Sequence, residues 1–250
     1  MAEVFERQPS EYYLARLHWQ TDAFEDAAAT VSAAIADVPP GNRVHLIVQA
    51  THPDAAARIQ LAQRCGLRPF QEKEGFWWTA DGTGAADPGM NPAGLTARPL
   101  TDSDHQQFCD VIRRSVVGIQ DRVDQISLRA QGGSHWAADL LGHYAMGSDA
   151  SLWQLGLDTA GATIGFVGLA AADDDREGII VHIGVLPEHR GHGHGSGLLG
   201  IAKATAVARS WRGLLSLVDV VNQPMVQTMT RSGFSPNSRP WHKWHYLHET

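Results

Sequence analysis

The sequence predicts an α+β protein with a mixed central sheet. Short apolar segments rich in β-branched and aromatic residues alternate with longer segments of helical character. Turn-forming glycine, proline, asparagine and aspartate residues separate many of these segments. Hydrophobic residues make up 43% of the 250 residues and charged residues 19%, which is typical of a globular protein with a buried core.

The N-terminal part, residues 1–80, reads as alternating strands and helices. Strands are predicted at 12–19, 44–49 and 74–79, and helices at 22–36 and 53–66. Asp22 suits the N-cap of the first helix, and Pro53 suits the first turn of the second. Gly66 then ends that helix. Aromatic residues dominate the first and last strands, as β-propensity favours.

Residues 81–94 predict a linker, because glycine, proline and aspartate dominate them and oppose regular structure. The C-terminal part, residues 95–250, then contains strands at 95–100, 151–157, 163–170, 179–186 and 214–221, around 234, and at 243–247. Its predicted helices cover 102–117, 123–146, 195–211 and 224–232. Asp102 or Ser103 can cap the first of them, and residues 158–161 form the turn of a hairpin.

Composition and charge exclude several classes of function. The formal net charge is -7, from 27 acids and 20 bases, and such a surface repels nucleic-acid backbones. No apolar run is long enough to span a membrane, and the N-terminus has no apolar signal region. The two cysteines, Cys65 and Cys109, have no metal or redox spacing. We therefore expect a cytoplasmic protein without nucleic-acid or membrane partners. The sequence leaves a homodimer open.

The segment with the clearest chemistry is residues 185–199, VLPEHRGHGHGSGLL. A strand ends at its proline, a glycine-dense loop follows, and a helix begins. Glycines let successive backbone N–H groups approach an anion, and the helix N-terminus adds unpaired donors and a positive dipole end. The pattern predicts a phosphate-binding loop to which Arg190 adds a cation.

Three alternative interpretations of this loop are weaker. No lysine lies where a Walker A motif needs one. Residues 195–200 formally match a dinucleotide-binding fingerprint with Asp219 as the ribose-binding acid, but extra residues separate the strand from these glycines and few residues follow Asp219. His189, His192 and His194 have no carboxylate or cysteine at a useful spacing, so we expect no metal site.

Two motifs resemble those of the GNAT superfamily of N-acyltransferases. Residues 190–195 have the form Arg-x-x-Gly-x-Gly, preceded by Val-x-Pro-Glu, and residues 219–225 with Gly233 and Phe234 resemble the second cofactor segment. The resemblance covers residues 95–250. It implies a GNAT-like fold with splayed central strands that transfers an acetyl group from acetyl-CoA to a primary amine of a small molecule. Residues 1–80 look like a degenerate half of the same fold, without its phosphate loop.

The resemblance also implies the cofactor-binding residues. The main chain of the strand would pair with the pantetheine arm of acetyl-CoA, the loop would hold the pyrophosphate, and Asn222 would lie beside the cofactor. These residues are Ile183, Gly184, Val185, Arg190, Gly191, His192, Gly193, His194, Gly195, Ser196 and Asn222.

The sequence departs from the family at the catalytic positions. Met229 stands where many members have a proton-donating tyrosine, and Ile179 and Val181 stand where many have a base. His182 and Asp219 are the candidate catalytic substitutes, although strand alternation predicts that His182 points away from the face of Ile179. A non-catalytic acyl-CoA-binding or regulatory module is therefore the alternative interpretation.

Overall fold

The computed structural model describes residues 3–8, 11–15, 17, 23–80, 94–144, 149–172, 176–236 and 243–250. Its helices are α1 (Phe24–Ala36), α2 (Ala55–Arg64), α3 (His105–Ser115), α4 (Arg122–Gln131), α5 (Gly133–Tyr144), α6 (His194–Ala208) and α7 (Gln223–Arg231). Its strands are β1 (Glu3–Gln8), β2 (Glu11–Ala15), β3 (Arg43–Gln49), β4 (Arg68–Thr79), β5 (Thr96–Pro99), β6 (Trp153–Leu157), β7 (Thr163–Ala171), β8 (Gly178–Val185), β9 (Gly213–Asp219), β10 (Ser235–Pro236) and β11 (Lys243–Glu249). The mixed α and β architecture is the one that the sequence predicts.

The chain divides into two compact units. Unit 1 comprises Met1–Glu74 and Ser238–Thr250, and unit 2 comprises Gly75–Asn237. These limits differ from the predicted ones at the C-terminus, because β11 lies between β3 and β4 in unit 1 and pairs antiparallel with both. The proposed half-domain at residues 1–80 stays a prediction. The linker at 81–94 falls almost entirely outside the described residues.

Unit 1 contains a parallel crossover. Strands β2 and β3 are parallel, with Tyr13 opposite His45, and α1 connects them. Strand β1, which the sequence analysis did not predict, pairs antiparallel with β2. Apolar side chains of β2, β3, α1, α2 and β11 form the core of this unit, among them Leu14, Val31 and Leu46.

The opposite side of the same strands carries a buried polar pair. His45 and His245 are both buried, and Nδ1 of His45 lies 2.6 Å from Nε2 of His245. The ring of Tyr13 stacks on His45 with centroids 4.8 Å apart. A hydrogen bond between the two imidazoles satisfies polar groups that burial would otherwise leave unpaired.

Unit 2 contains the larger core. Its strands run in the order β9-β8-β7-β6-β5, and the last residues of β4 lie beside β9. A Cβ built on Gly184 would meet Ser115 at the end of α3, whereas one on Gly156 would meet Leu198 of α6. Because Gly184 pairs with Phe166 and Gly156 pairs with Gly165, these two helices cover opposite faces of the sheet.

The helical segment predicted over residues 123–146 is two helices. Gly132 separates α4 from α5 with a φ of 79°, a conformation that a residue with a Cβ adopts only with strain. Asp121 caps the start of α4 by accepting hydrogen bonds from the N–H groups of Val123 and Asp124. Among the described helices, none is long and apolar enough to cross a bilayer.

Lys203 shows how unit 2 accommodates a buried cation. Its ammonium donates a hydrogen bond to the carbonyl of Ser232 just beyond α7. The same group lies 5.4 Å from the ring centroid of Trp78 and 5.5 Å from that of Phe234. A cation near the last carbonyls of a helix and over aromatic faces offsets part of its desolvation.

Candidate active site

Strands β8 and β9 separate part of the way along their length. They pair in parallel from Gly178 opposite Leu214 to Ile180 opposite Ser216, and their pairing stops there. β8 nevertheless continues to Val185 and β9 to Asp219. The edge of β8 that faces β9 therefore presents unpaired backbone groups beyond Ile180, and an extended chain can hydrogen-bond to them as an added strand.

A glycine loop joins the open end of β8 to α6. Gly191 and Gly193 have φ angles of 81° and 82°, so the backbone alternates through the left-handed region. Such a path turns successive N–H groups toward one side and forms an anion-binding nest. The N–H groups of His194 and Gly195 at the start of α6 are helix-terminal donors of the kind that bind anions, whereas the N–H of Ser196 donates to the carbonyl of Gly193 at 3.0 Å. At Gly195, a Cβ would lie 3.1 Å from Cγ2 of Thr228, so the loop also fits closely against α7.

The splay and the glycine loop line a single cavity of about 1010 Å³. Its walls include the end of β8, the whole glycine loop, the start of α7 and the residues after α3. The lining contains every predicted cofactor-binding residue, from Ile183 through Ser196 to Asn222, and also contains His182. The sequence-predicted loop, strand and helix start are thus brought together around one space.

Arg190 has a different contact pattern from the predicted one. Its Nε donates to the carbonyl of Val185 at 3.1 Å, its Nη1 to that of Val117 at 2.7 Å, and its Nη2 to that of Ser115 at 2.6 Å. Three of the five guanidinium donors are therefore bound to carbonyls at the ends of β8 and α3. Arg190 thus fixes the shape of the loop, and its predicted contact with the pyrophosphate stays a prediction.

Asp219 is an anchor rather than the proposed base. Both oxygens of its fully buried carboxylate accept hydrogen bonds from Arg122: Oδ2 from Nε at 2.9 Å and Oδ1 from Nη2 at 2.7 Å. The backbone N–H groups of Arg122 and Val221 donate to the same carboxylate. Asp219 is absent from the described residues that line the cavity. A carboxylate held by four donors ties β9 to α4 and is poorly suited to accept a proton.

His182 lies on the face that strand alternation excludes, because β8 contains a β-bulge. Gly168 of β7 pairs with His182, but its neighbour Leu169 pairs with Ile180, so Val181 is an extra residue. Ile179 pairs with Ala170, two residues from Gly168, which places Ile179 and His182 on the same face. The prediction that His182 points away from Ile179 is therefore wrong.

The bulge gives His182 a defined environment. Its Nε2 lies 3.4 Å from Oδ2 of Asp124 in α4, and its Nδ1 has no hydrogen-bond partner among the described atoms. The ring stacks on Phe166, with centroids 5.7 Å apart, and meets the edge of Trp136 at 5.3 Å. A carboxylate at Nε2 favours the tautomer with its proton there, which leaves the lone pair on Nδ1.

Two further positions complete the site. Asn222 caps α7 by accepting a hydrogen bond from the N–H of Met225, and it lines the cavity. Met229 is fully buried in the core, so the position of the family's tyrosine provides no proton donor here. Three imidazoles, of His189, His192 and His194, lie around the loop. Among the described residues, no three His, Cys, Asp or Glu side chains are grouped as a metal ion requires.

Sequence analysis missed two of the residues described here, Asp124 and Arg122. Both lie in the first turn of α4, where an acid is a common helix-stabilising feature and carries no catalytic signal by itself. Their partners His182 and Asp219 are remote in sequence. Only the three-dimensional structure pairs them.

Comparisons with known proteins agree with this geometry. Residues 125–234 match the model of the Acetyltransferase (GNAT) family. A comparison with curated protein sequences found no match. Among solved structures, a GCN5-related N-acetyltransferase from Sphaerobacter thermophilus has a TM-score of 0.65 at 17% identity, covering 99% of this chain and 76% of that one.

Two other solved structures share the fold. A tandem GNAT protein from the clavulanic acid biosynthesis pathway has a TM-score of 0.56 at 16% identity over 96% of this chain and 75% of that one. A GCN5-related glucosamine N-acetyltransferase region of a fungal multi-domain β-N-acetylglucosaminidase has a TM-score of 0.67 at 13% identity, with 99% of this chain and 31% of that chain covered. Residues 125–234 thus match the acetyltransferase (GNAT) family, and these solved structures show that the chain shares the GNAT fold.

Proposed function

We propose that this protein transfers an acetyl group from acetyl-CoA to a primary amine of a small molecule. The observation that carries the proposal is the opening of β8 and β9 over the glycine loop, in one cavity with His182. The described lining contains no carboxylate, although the whole chain has a net charge of -7. An anionic ligand is thus favoured in this cavity over the rest of the surface.

Different residues around the cavity would bind different parts of acetyl-CoA. Backbone groups of Ile183, Gly184 and Val185 would pair with the pantetheine arm, and N–H groups of the loop from Gly191 to Ser196 would hold the pyrophosphate. When bound, acetyl-CoA supplies the thioester carbonyl that the amine attacks. Backbone N–H groups near Val185 would polarise that carbonyl, which replaces part of the missing acid catalysis.

His182 is the proposed base. An amine attacks a carbonyl only when its nitrogen is neutral, and the imidazole of His182, which lines the cavity, would take the ammonium proton. Asp124 would hold the tautomer and stabilise the charged imidazole. In the overall reaction the N–C bond forms and the C–S bond breaks; the attacking nitrogen gives up its second proton to solvent, and the departing thiolate takes one from solvent.

The experiment combines binding with turnover. We expect calorimetry to detect acetyl-CoA binding and a thiol-release assay to identify amines in a panel of small primary amines, amino sugars included, because a structural neighbour is described as a glucosamine N-acetyltransferase. Replacing His182 by Gln should lower kcat about a hundredfold and leave the acetyl-CoA affinity unchanged. The Asp124→Asn variant should show a smaller loss.

A matched control exists in α5. His135 and Asp139 form another histidine–aspartate pair, 3.5 Å apart, but both are well exposed and neither lines the cavity. His135→Gln should therefore leave kcat unchanged. Equal losses in the two histidine variants would contradict the assignment of His182 while leaving the transferase proposal intact.

The alternative is a module that binds acyl-CoA without catalysis. The buried Met229 and a described cavity lining without phenol, thiol or carboxylic acid favour it. Acetyl-CoA binding without thiol release for any amine would support this alternative. Absence of acetyl-CoA binding would contradict both.

The N-terminal residues 1–80 fit a supporting role. The neighbour from clavulanic acid biosynthesis is described as a tandem GNAT protein, and the β2-α1-β3 crossover of unit 1 has the same topology as β8-α6-β9. We propose that this region is a degenerate half-repeat that does not bind acyl-CoA. A single binding event per chain in the calorimetric titration is the expected result.

A further inference from the structure

Three histidines surround the loop that would hold the pyrophosphate. The ring centroids of His189 and His194 lie 6.0 Å apart, and those of His192 and His194 lie 6.2 Å apart. All three line the cavity. Nδ1 of His194 is buried and has no hydrogen-bond partner among the described atoms. A buried nitrogen without a partner at an anion-binding loop is a group that a ligand can satisfy.

Two arginines supply the permanent positive charge in the described lining of the cavity. Arg190 donates three of its N–H groups to backbone carbonyls, which leaves it fewer donors for a ligand. Arg231 lies near the end of α7. Beside His189, Glu188 is paired with Arg114 of α3. Positive charge beyond that of the two arginines can come from an imidazole.

The environment of His194 keeps its imidazole neutral without an anion. Burial lowers the pKa of His194, and the neighbouring His189 and His192 lower it further, whereas Asp158 acts in the opposite direction. An anion among the three rings would favour the charged form and compensate the repulsion between them. A bound pyrophosphate would therefore favour the charged form of His194, which its surroundings disfavour in the free protein.

We infer that this protein takes up a proton on His194, within the cluster of loop histidines, when it binds the pyrophosphate of an acyl-CoA, so that it binds acyl-CoA more tightly as the pH falls. The inference rests on the proposed function, because it needs acyl-CoA to occupy the glycine loop.

The sign of the effect follows from linkage. A group that gains a proton on binding makes the dissociation constant fall as the pH is lowered, between its bound and free titration ranges. Each proton taken up changes Kd by at most about tenfold per pH unit. We expect the affinity to increase from pH 8 to pH 6, with close to one proton taken up over that interval.

The probe is 3′-dephospho-CoA, titrated by calorimetry at pH 6, 7 and 8. Its pyrophosphate stays fully ionised over this range, whereas a phosphate monoester such as the 3′-phosphate of CoA titrates near pH 6 and would add its own protons. Repeating each titration in two buffers with different heats of ionisation gives the number of protons taken up directly. The expected result is a Kd at pH 6 that is at least fivefold below that at pH 8, with buffer-dependent heats.

Histidine variants test whether the proton taken up on binding goes to the loop. The double variant His192→Gln, His194→Gln should keep its melting temperature, bind the probe more weakly at pH 6, and lose most of the proton uptake. His135→Gln, which changes an exposed histidine outside the cavity, should titrate like the wild type.

A wild-type Kd that is constant from pH 6 to pH 8 without buffer-dependent heats would overturn the inference and leave the proposed function standing. Unchanged proton uptake in the double variant would overturn it too. Absence of probe and acetyl-CoA binding at every pH would instead remove the proposed function, and this inference with it.

Discussion

Two parallel crossovers in this chain have the same order of elements but different helix starts. In unit 1, α1 connects β2 to β3, and α2 follows β3; in unit 2, α6 connects β8 to β9, and α7 follows β9. The ends of α2 and α7, the helices that follow these crossovers, also share one backbone conformation. Gly66 and Gly233 have φ angles of 80° and 78°, and the N–H groups of Leu67 and Phe234 donate to carbonyls five residues back.

The first turns of α1 and α6 differ in their acidic residues and in their glycine content. α6 begins with Gly193 as its N-cap, followed by His194, Gly195 and Ser196, and has no acid in its first turn. α1 has Ala23 at its N-cap and carries Glu25 and Asp26 in its first turn. Carboxylates at a helix N-terminus use the positive end of the dipole for stability. One helix start thus stabilises the fold, and the other is left available for an anion.

The strand ends differ as well. Asp219, the last residue of β9, is buried and bound to Arg122, whereas Gln49, the last residue of β3, is exposed. Replacing Asp219 by Asn should remove the bidentate pair and lower the free energy of unfolding by about 2–4 kcal/mol, because a guanidinium then lacks its charged partner. Gln49→Ala should change it by less than about 0.5 kcal/mol. Chemical denaturation of both variants measures the contrast, and comparable losses would show that β9 is not specially anchored.

Introducing an acid at the start of α6, as α1 has one, should weaken acetyl-CoA binding strongly. Ser196 occupies the third position of α6, as Asp26 does in α1. The Ser196→Asp variant should bind acetyl-CoA roughly a hundredfold more weakly, since a carboxylate would face the pyrophosphate, while the melting temperature stays equal or rises slightly. Calorimetry and thermal unfolding test the two halves of this prediction. The Ser196→Asn variant is the uncharged control and should lose much less affinity.

The glycine at the N-cap of α6 should be required for binding as well as for folding. Gly193→Ala introduces a Cβ at a φ of 82°, which costs about 1–2 kcal/mol. Gly161, in the β6–β7 turn, has the same φ of 82° and equally open surroundings, so Gly161→Ala should destabilise the protein by a similar amount. Only the Gly193 variant should also bind acetyl-CoA more weakly, by about tenfold. Equal affinities of the two variants would show that the loop conformation does not matter for the ligand.

Removing an acid from the start of α1 should have the smallest effect of these substitutions. Asp26→Ser removes a carboxylate from the start of α1 and should lower the free energy of unfolding by about 0.5 kcal/mol. It should create no second acyl-CoA site, because the loop before α1 has no glycine at residues 16–23. Two binding events per chain in this variant would contradict the assigned role of residues 1–80.

The glycine loop was predictable because its chemistry depends on residue types that are adjacent in sequence. Gly191, Gly193 and Gly195 specify the backbone path by themselves, and the strand and helix around them follow local patterns. The surroundings of the two candidate catalytic residues were not predictable in the same way. The orientation of His182 depends on the bulge at Val181, and the role of Asp219 depends on Arg122, which is 97 residues away. The pairing of β11 within unit 1 is likewise a long-range property that no local pattern encodes.

The bulge at Val181 has a consequence for solubility. A strand with an unpaired edge is a template on which another chain can add, and this is a common route to aggregation. In β8 the unpaired stretch beyond Ile180 is short, and the bulge twists it at its start. Deleting Val181 would therefore do more than turn His182 away from the cavity. Without the bulge the open edge of β8 would be flatter and would pair more readily with another chain. The variant should therefore precipitate at concentrations that the native chain tolerates.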